Sequence, residues 1–125
     1  FPKLQGASVE LGAGWVPSML SRLDWTVEIW KKTDQSLQRL RRKPSEQLAQ
    51  QFGFTPYVYE NVGELIDRSQ PELYLFSSDY PHTEGGRDPI GRFRRSLDGQ
   101  DERGQECFYA GNFKRIFTGL NQSIV

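Results

Sequence analysis

Leu73-Tyr74-Leu75-Phe76-Ser77-Ser78-Asp79-Tyr80-Pro81-His82 is the stretch on which the reading of this chain turns. It opens on a short apolar run and is followed by a Gly85-Gly86 turn. An apolar run of this length, bounded by turn residues, predicts a buried strand over residues 73–77. That strand places an acid, Asp79, and an imidazole, His82, just beyond its C-terminal end. In α/β barrels that end of the strands is where chemistry is done.

Upstream, residues 4–11 read as a strand closed by Gly12-Ala13-Gly14. Trp15, Val16, Met19, Leu20, Leu23, Val27 and Trp30 recur at steps of three and four and predict one amphipathic helix, with Pro17 in its first turn. Residues 31–43 are polar and end in a basic cluster, Arg39, Arg41, Arg42 and Lys43. Pro44-Ser45-Glu46 opens a short helical turn, and residues 51–55 resemble a second strand closed by Pro56. Val62, Leu65 and Ile66 suit a short helix, as do Phe93 and Leu97. Phe113, Ile116, Phe117 and Leu120 mark a last helix, with Asn112 expected as its cap and Gly119 as its stop. Strands and helices therefore alternate, which predicts an α/β fold with parallel strands and right-handed crossovers.

Length and composition narrow the class. The chain has 125 residues and a formal net charge of +0. That suffices for one modest domain and falls short of the roughly 250 residues of a complete eight-stranded α/β barrel. The chain starts at Phe1 and its one methionine is Met19, so it is expected to be incomplete at its N-terminus. Neutral charge gives no reason to expect nucleic acid as a partner. No apolar run approaches a membrane span of about 18 residues. Cys107 is the lone cysteine, which excludes an internal disulfide and points to a reducing, cytoplasmic setting.

Several segments together resemble the C-terminal part of the amidohydrolase-2 family, the branch of the amidohydrolase superfamily related to aminocarboxymuconate-semialdehyde decarboxylase. They are Phe1-Pro2-Lys3-Leu4, Glu10-Leu11-Gly12-Ala13-Gly14-Trp15-Val16-Pro17, Arg22-Leu23-Asp24, Lys43-Pro44-Ser45-Glu46, Phe52-Gly53-Phe54-Thr55, Leu75 through His82, and Gly111-Asn112-Phe113-Lys114-Arg115-Ile116-Phe117. They occur in the family's order over nearly the whole chain. The resemblance implies that residues 1–125 form the C-terminal segment of a TIM-type (β/α)8 barrel, about its last three strand-helix units.

The resemblance also assigns site residues. Asp79 matches the family's Asp after the last barrel strand, a metal ligand or general base. A carboxylate there can bind a divalent cation and accept a proton from metal-bound water; as a bare sequence feature, Asp also turns a chain before a proline. His82 would contact substrate or orient Asp79, or stand solvated in its loop. Glu10 stands where many family members carry a metal-binding His, and the exchange alters ligand charge and softness. Otherwise Glu10 is a polar strand-end residue satisfied by backbone N–H groups or an Arg. The family's paired histidines on strand one and its His on strand five have no counterpart, since His82 is the one histidine. A divalent metal, zinc by analogy, is therefore expected in the complete protein; one Asp, one His and one distant Glu are expected to make a poor zinc site in this chain alone, which is expected to be inactive.

Other residues invite simpler readings. Trp15, Trp25, Trp30 and the phenylalanine pairs read as core. Arg39 to Lys43 read as a solvated helix end suited to the helix dipole. Arg92, Arg94 and Arg95 read as an exposed helix face, with substrate-carboxylate binding the sharper alternative. Cys107 reads as a structural thiol. Gly12-Ala13-Gly14 lacks the Lys-Ser/Thr of a phosphate loop and the third glycine of a dinucleotide fingerprint.

Two functions follow as expectations. One is an enzyme acting on a small organic substrate by hydrolysis or non-oxidative decarboxylation. The other is a non-catalytic binding or assembly module derived from that fold. A His-x-His pair upstream would favour the first. Open strand edges and an uncovered apolar face predict self-association, as a homo-oligomer or an aggregate.

Overall fold

β1 (Gly6–Ser8) and β2 (Phe52–Phe54) pair in parallel, with Gly6 opposite Phe52, Ala7 opposite Gly53 and Ser8 opposite Phe54. They form the sheet of a computed structural model that describes residue 1 and residues 3–121. Between the strands run α1 (Val16–Trp30), α2 (Gln35–Gln38) and α3 (Pro44–Gln51). After β2 come α4 (Val62–Asp67), α5 (Pro89–Ser96), α6 (Glu102–Glu106) and α7 (Asn112–Ile116). The architecture is mixed α/β with a small parallel sheet.

The predicted third strand, residues 73–77, shrinks to a single bridge. Tyr74 pairs in parallel with Phe54, and the Leu75 N–H donates to the Phe54 carbonyl at 2.9 Å. On its N-terminal side Pro71–Leu73 is a 3₁₀ turn. On its C-terminal side the Phe76 N–H turns away from the sheet and donates to the Phe108 carbonyl at 3.0 Å. Buried backbone groups must be paired, and here a helix supplies the partner that a further strand would have supplied.

The last helix differs from expectation in a way that explains this. Residues 102–116 are helical throughout, but Cys107–Gly111 form a π turn between α6 and α7. The Asn112 N–H donates five residues back, to Cys107. Asn112 is therefore no cap: it lies inside the helix, 2% exposed. Its Nδ2 donates to the carbonyls of Pro71 at 2.7 Å and Tyr74 at 2.9 Å. The residue expected to start a helix instead holds the third sheet segment. Gly119 is not the stop either, since α7 ends at Ile116 and Gly119 lies in the 3₁₀ turn Thr118–Asn121. The side chain of Leu120 lies outside the described residues.

The core collects Val16 and Leu20 of α1, Phe54 of β2, Val62 and Leu65 of α4, Tyr74, and Phe93 and Phe108. Phe76, Phe93 and Phe108 meet at edge-on angles with ring centroids 5.0 to 6.0 Å apart, the arrangement aromatic quadrupoles favour. On the other face of the sheet a Cβ at Gly53 would sit 2.6 Å from Leu75 and 2.8 Å from Ile116. Only glycine lets both side chains close over β2. Asp24 on α1 accepts from the Ser45 N–H at 3.0 Å and hydroxyl at 2.7 Å, which ties α1 to the first turn of α3.

At the N-terminal ends of the sheet segments, Arg115 donates to the carbonyls of Gln50 at 2.6 Å and Glu72 at 2.7 Å. Gln51 donates to the carbonyls of Phe1 and Leu4. These groups fix the level at which the parallel segments start, and so the level at which they end.

The tryptophans are not core. Trp15 is 44% exposed, Trp25 64% and Trp30 57%, with Ile29 at 65% beside them. The cause is that α1 carries apolar residues on two faces. Val16, Leu20 and partly Val27 face the core, whereas Trp25, Ile29 and Trp30 stand exposed on another side of the helix. Phe113 and Phe117 are likewise half-exposed, their rings packed together at 4.7 Å. No helix among the described residues is long and apolar enough to cross a membrane.

The Asn112 clamp is testable. Asn112→Leu keeps the volume and strands the carbonyls of Pro71 and Tyr74. Each stranded carbonyl is expected to cost about 1–3 kcal/mol, read from the shift of the urea unfolding midpoint.

Candidate metal centre

β1 ends at Ser8, and Val9 and Glu10 carry the chain past the sheet. The third segment leaves the sheet after Leu75, and Ser77, Ser78 and Asp79 carry it past the same edge. Parallel pairing puts these two exits side by side. Glu10 and Asp79 are also the non-glycine residues with positive φ among the described residues, at 61° and 56°. That region disfavours L-residues, Asp less than most. Holding a residue there costs about 1–3 kcal/mol, and such strain gathers at functional sites.

The Asp79 turn is built locally. The Asp79 N–H donates to Ser77 Oγ at 3.4 Å and the Tyr80 N–H to Ser78 Oγ at 3.3 Å. The His82 N–H donates to the Asp79 carbonyl at 2.8 Å, which folds His82 back over Asp79. His82 Nδ1 then lies 3.1 Å from Asp79 Oδ1 and 3.7 Å from Glu10 Oε1. One donor atom from each of Glu10, Asp79 and His82 falls within 4.8 Å of the others. The Asp79 side chain is sheltered, 18% exposed, whereas His82 and Glu10 are 55% and 69% exposed.

The acids act on the imidazole. The hydrogen bond to Asp79, and next the Asp79 charge, hold His82 above its ordinary 6.5; partial desolvation opposes this, and Glu10 and Glu84 add to it. A raised histidine stabilises the fold below its unfolded value near 6.5, and that contribution is lost as pH rises through the higher folded value.

A pocket of about 100 Å³ opens between the strand ends, lined by Val9, Glu10, Thr55, Tyr57, Ser77 and Asp79 among others. That is room enough for water-sized groups. The amides of the Gly12-Ala13-Gly14 loop are not open to a free anion. The Glu60 carboxylate already accepts from the N–H groups of Ala13 and Gly14. The helix N-terminus thus has an acid on it, and that acid belongs to the chain itself.

The structure brings Glu10, Asp79 and His82 together. It sets Arg92, Arg94 and Arg95 on the exposed surface of α5, where Arg95 lies 3.9 Å from Asp88. Arg39, Arg41, Arg42 and Lys43 are exposed beyond α2. Cys107 is half-buried in the π turn, and burial, then Glu72, push its thiol up, which makes it a poor nucleophile. Sequence reasoning passed over Glu60 and Tyr57. Their one visible signal is position, since Tyr57-Val58-Tyr59-Glu60 directly follows the end of the second strand segment.

No family model matches the chain, and no curated protein matches it. Among solved structures it is similar to an amidohydrolase from Mycobacterium avium subsp. paratuberculosis K-10, at 28% identity and a TM-score of 0.72. The match covers 92% of this chain and 28% of that chain, so this chain spans a little over a quarter of that protein's length. The likeness supports a place in the amidohydrolase superfamily.

His82 is the one histidine, so its imidazole gives a single NMR titration. The midpoint is expected above 6.5. Asp79→Asn is expected to bring it down toward that value, and an unchanged midpoint would show that Asp79 does not face the ring.

Proposed function

We propose that this chain is the C-terminal part of an amidohydrolase-type (β/α)8 barrel enzyme that hydrolyses or non-oxidatively decarboxylates a small organic substrate. The observation that carries the proposal is the convergence of Glu10, Asp79 and His82 at the C-terminal ends of parallel segments. Chemistry at that end is the rule for α/β barrels. The likeness to an amidohydrolase supports the same reading.

The donor set suits a divalent cation. Two carboxylates and an imidazole match zinc or a similar borderline ion. Bonds of about 2.0–2.2 Å in a tetrahedral set put donor atoms roughly 3.3–3.6 Å apart, and His82 Nδ1 lies 3.1 and 3.7 Å from the two acids. Such an ion, when bound, would polarise a substrate oxygen and acidify a bound water. Asp79, the sheltered acid, is placed to ligate or to take up a proton. Glu10, which also lines the pocket, and His82 would supply the other two donors. Residues outside this chain would complete the ligand set and define the substrate.

The second reading, a binding or assembly module, draws on the exposed apolar side of α1, with Trp25, Ile29 and Trp30. A contiguous apolar surface marks an interaction site, which a homo-oligomer or the rest of a barrel would cover. The two readings separate on one variant. Asp79→Asn in the complete protein is expected to lower kcat at least 100-fold or so, the scale of losing a positioned acid-base group, with folding unchanged by circular dichroism. Undiminished turnover would remove Asp79 from the chemistry and favour the module.

A further inference from the structure

We infer that Tyr57 and Glu60 are positioning residues that hold Glu10 in its metal-facing conformation; this rests on the metal-centre reading above. Glu10 sits at φ 61°, a conformation a glutamate does not keep unaided. The restraint comes from the loop after β2.

Tyr57 supplies the first half. Its hydroxyl donates to the Glu10 carbonyl at 2.8 Å. Its ring lies so close over Gly12 that a Cβ there would come within 2.8 Å, and Gly12 itself has φ 63°. The ring is stacked on Tyr59, centroids 5.5 Å apart and planes 17° from parallel. A phenol braced in this way fixes the peptide that follows Glu10. Rotation of that peptide would break the bond.

Glu60 supplies the second half. Its Oε1 accepts from Gly14 N–H at 2.7 Å, and its Oε2 accepts from Ala13 N–H at 2.9 Å and from Tyr57 N–H at 2.7 Å. One carboxylate thereby joins the loop after β1 to the loop after β2 and sets the Tyr57 backbone. Both oxygens are occupied by backbone donors, so Glu60 is not a further metal ligand. Trp15 Nε1 closes the same loop by donating to the carbonyls of Leu11 and Gly12. Outer partners of this kind orient ligands, and their loss lowers metal affinity by about 10–100-fold.

The test is a Co²⁺ titration of the whole protein, followed by the visible ligand-field bands. Tyr57→Phe keeps the ring and its stacking and removes one hydroxyl. It is expected to weaken Co²⁺ binding by about 10–100-fold with the metal-free melting temperature nearly unchanged. In a Glu10→Ala background the same substitution should have no further effect, because the residue it positions is gone. Glu60→Gln is expected to weaken binding too, again only when Glu10 is present. Wild-type affinity in Tyr57→Phe would overturn the inference, as would an equal loss in the Glu10→Ala background. If Tyr57→Phe binds normally while Asp79→Asn does not, only this inference fails. If the wild-type protein takes up no Co²⁺, the metal centre fails and this inference falls with it.

Discussion

The parallel bridge of Tyr74 to Phe54, with the Leu75 N–H on the Phe54 carbonyl, sets the direction of the third segment beside β2. β1 already pairs with β2 in parallel, so all three segments point the same way. Their C-terminal ends must then lie together, however far apart they are in sequence. That common direction brings Glu10 and Asp79 to the same edge of the sheet. Reversing or slipping one segment would carry its acid to the other edge of the sheet or to the wrong face. Arg115 and Gln51, bonded to carbonyls at the opposite ends, keep the segments level.

A single backbone bond does not hold a segment in place. The π turn and Asn112 do that work from the helix side. Phe108 takes the Phe76 N–H, and Asn112 takes the carbonyls of Pro71 and Tyr74. A π turn shifts the helical hydrogen-bond register by one residue and changes which groups face outward. Here the shift lets a helix complete the pairing of a strand-like segment. The strained turn at Asp79 then starts from a fixed point. Stability at one end of the sheet and strain at the other are parts of one arrangement.

Much of this was legible in the sequence, and the rest was hidden for physical reasons. Periodicity located α1, because its core-facing residues recur at steps of three and four. The same periodicity misplaced the tryptophans: a pattern shows that a helix has apolar faces, not which face this chain covers. Leu73-Tyr74-Leu75-Phe76 looked like a strand because it is apolar and bounded by turn residues. Whether such a run pairs along its length depends on its neighbours, and Phe108 sits where a strand would have. Asn112 read as a cap because Asn caps helices; only the fold shows that two buried carbonyls need it. Glu60 was invisible because its partners are backbone N–H groups, which every residue has. Glu10, Asp79 and His82 were legible as separate candidates, since each lies in a segment that carries the family resemblance. Their mutual distances were not.

The central claim is that these three side chains form one divalent-cation site. The most direct measurement is anomalous diffraction at the zinc absorption edge from crystals of the complete protein grown with zinc. The account predicts an anomalous peak about 2.0–2.2 Å from a carboxylate oxygen of Asp79, with His82 Nδ1 and a Glu10 oxygen in the same coordination shell. A peak elsewhere, or none between Glu10, Asp79 and His82, would contradict it.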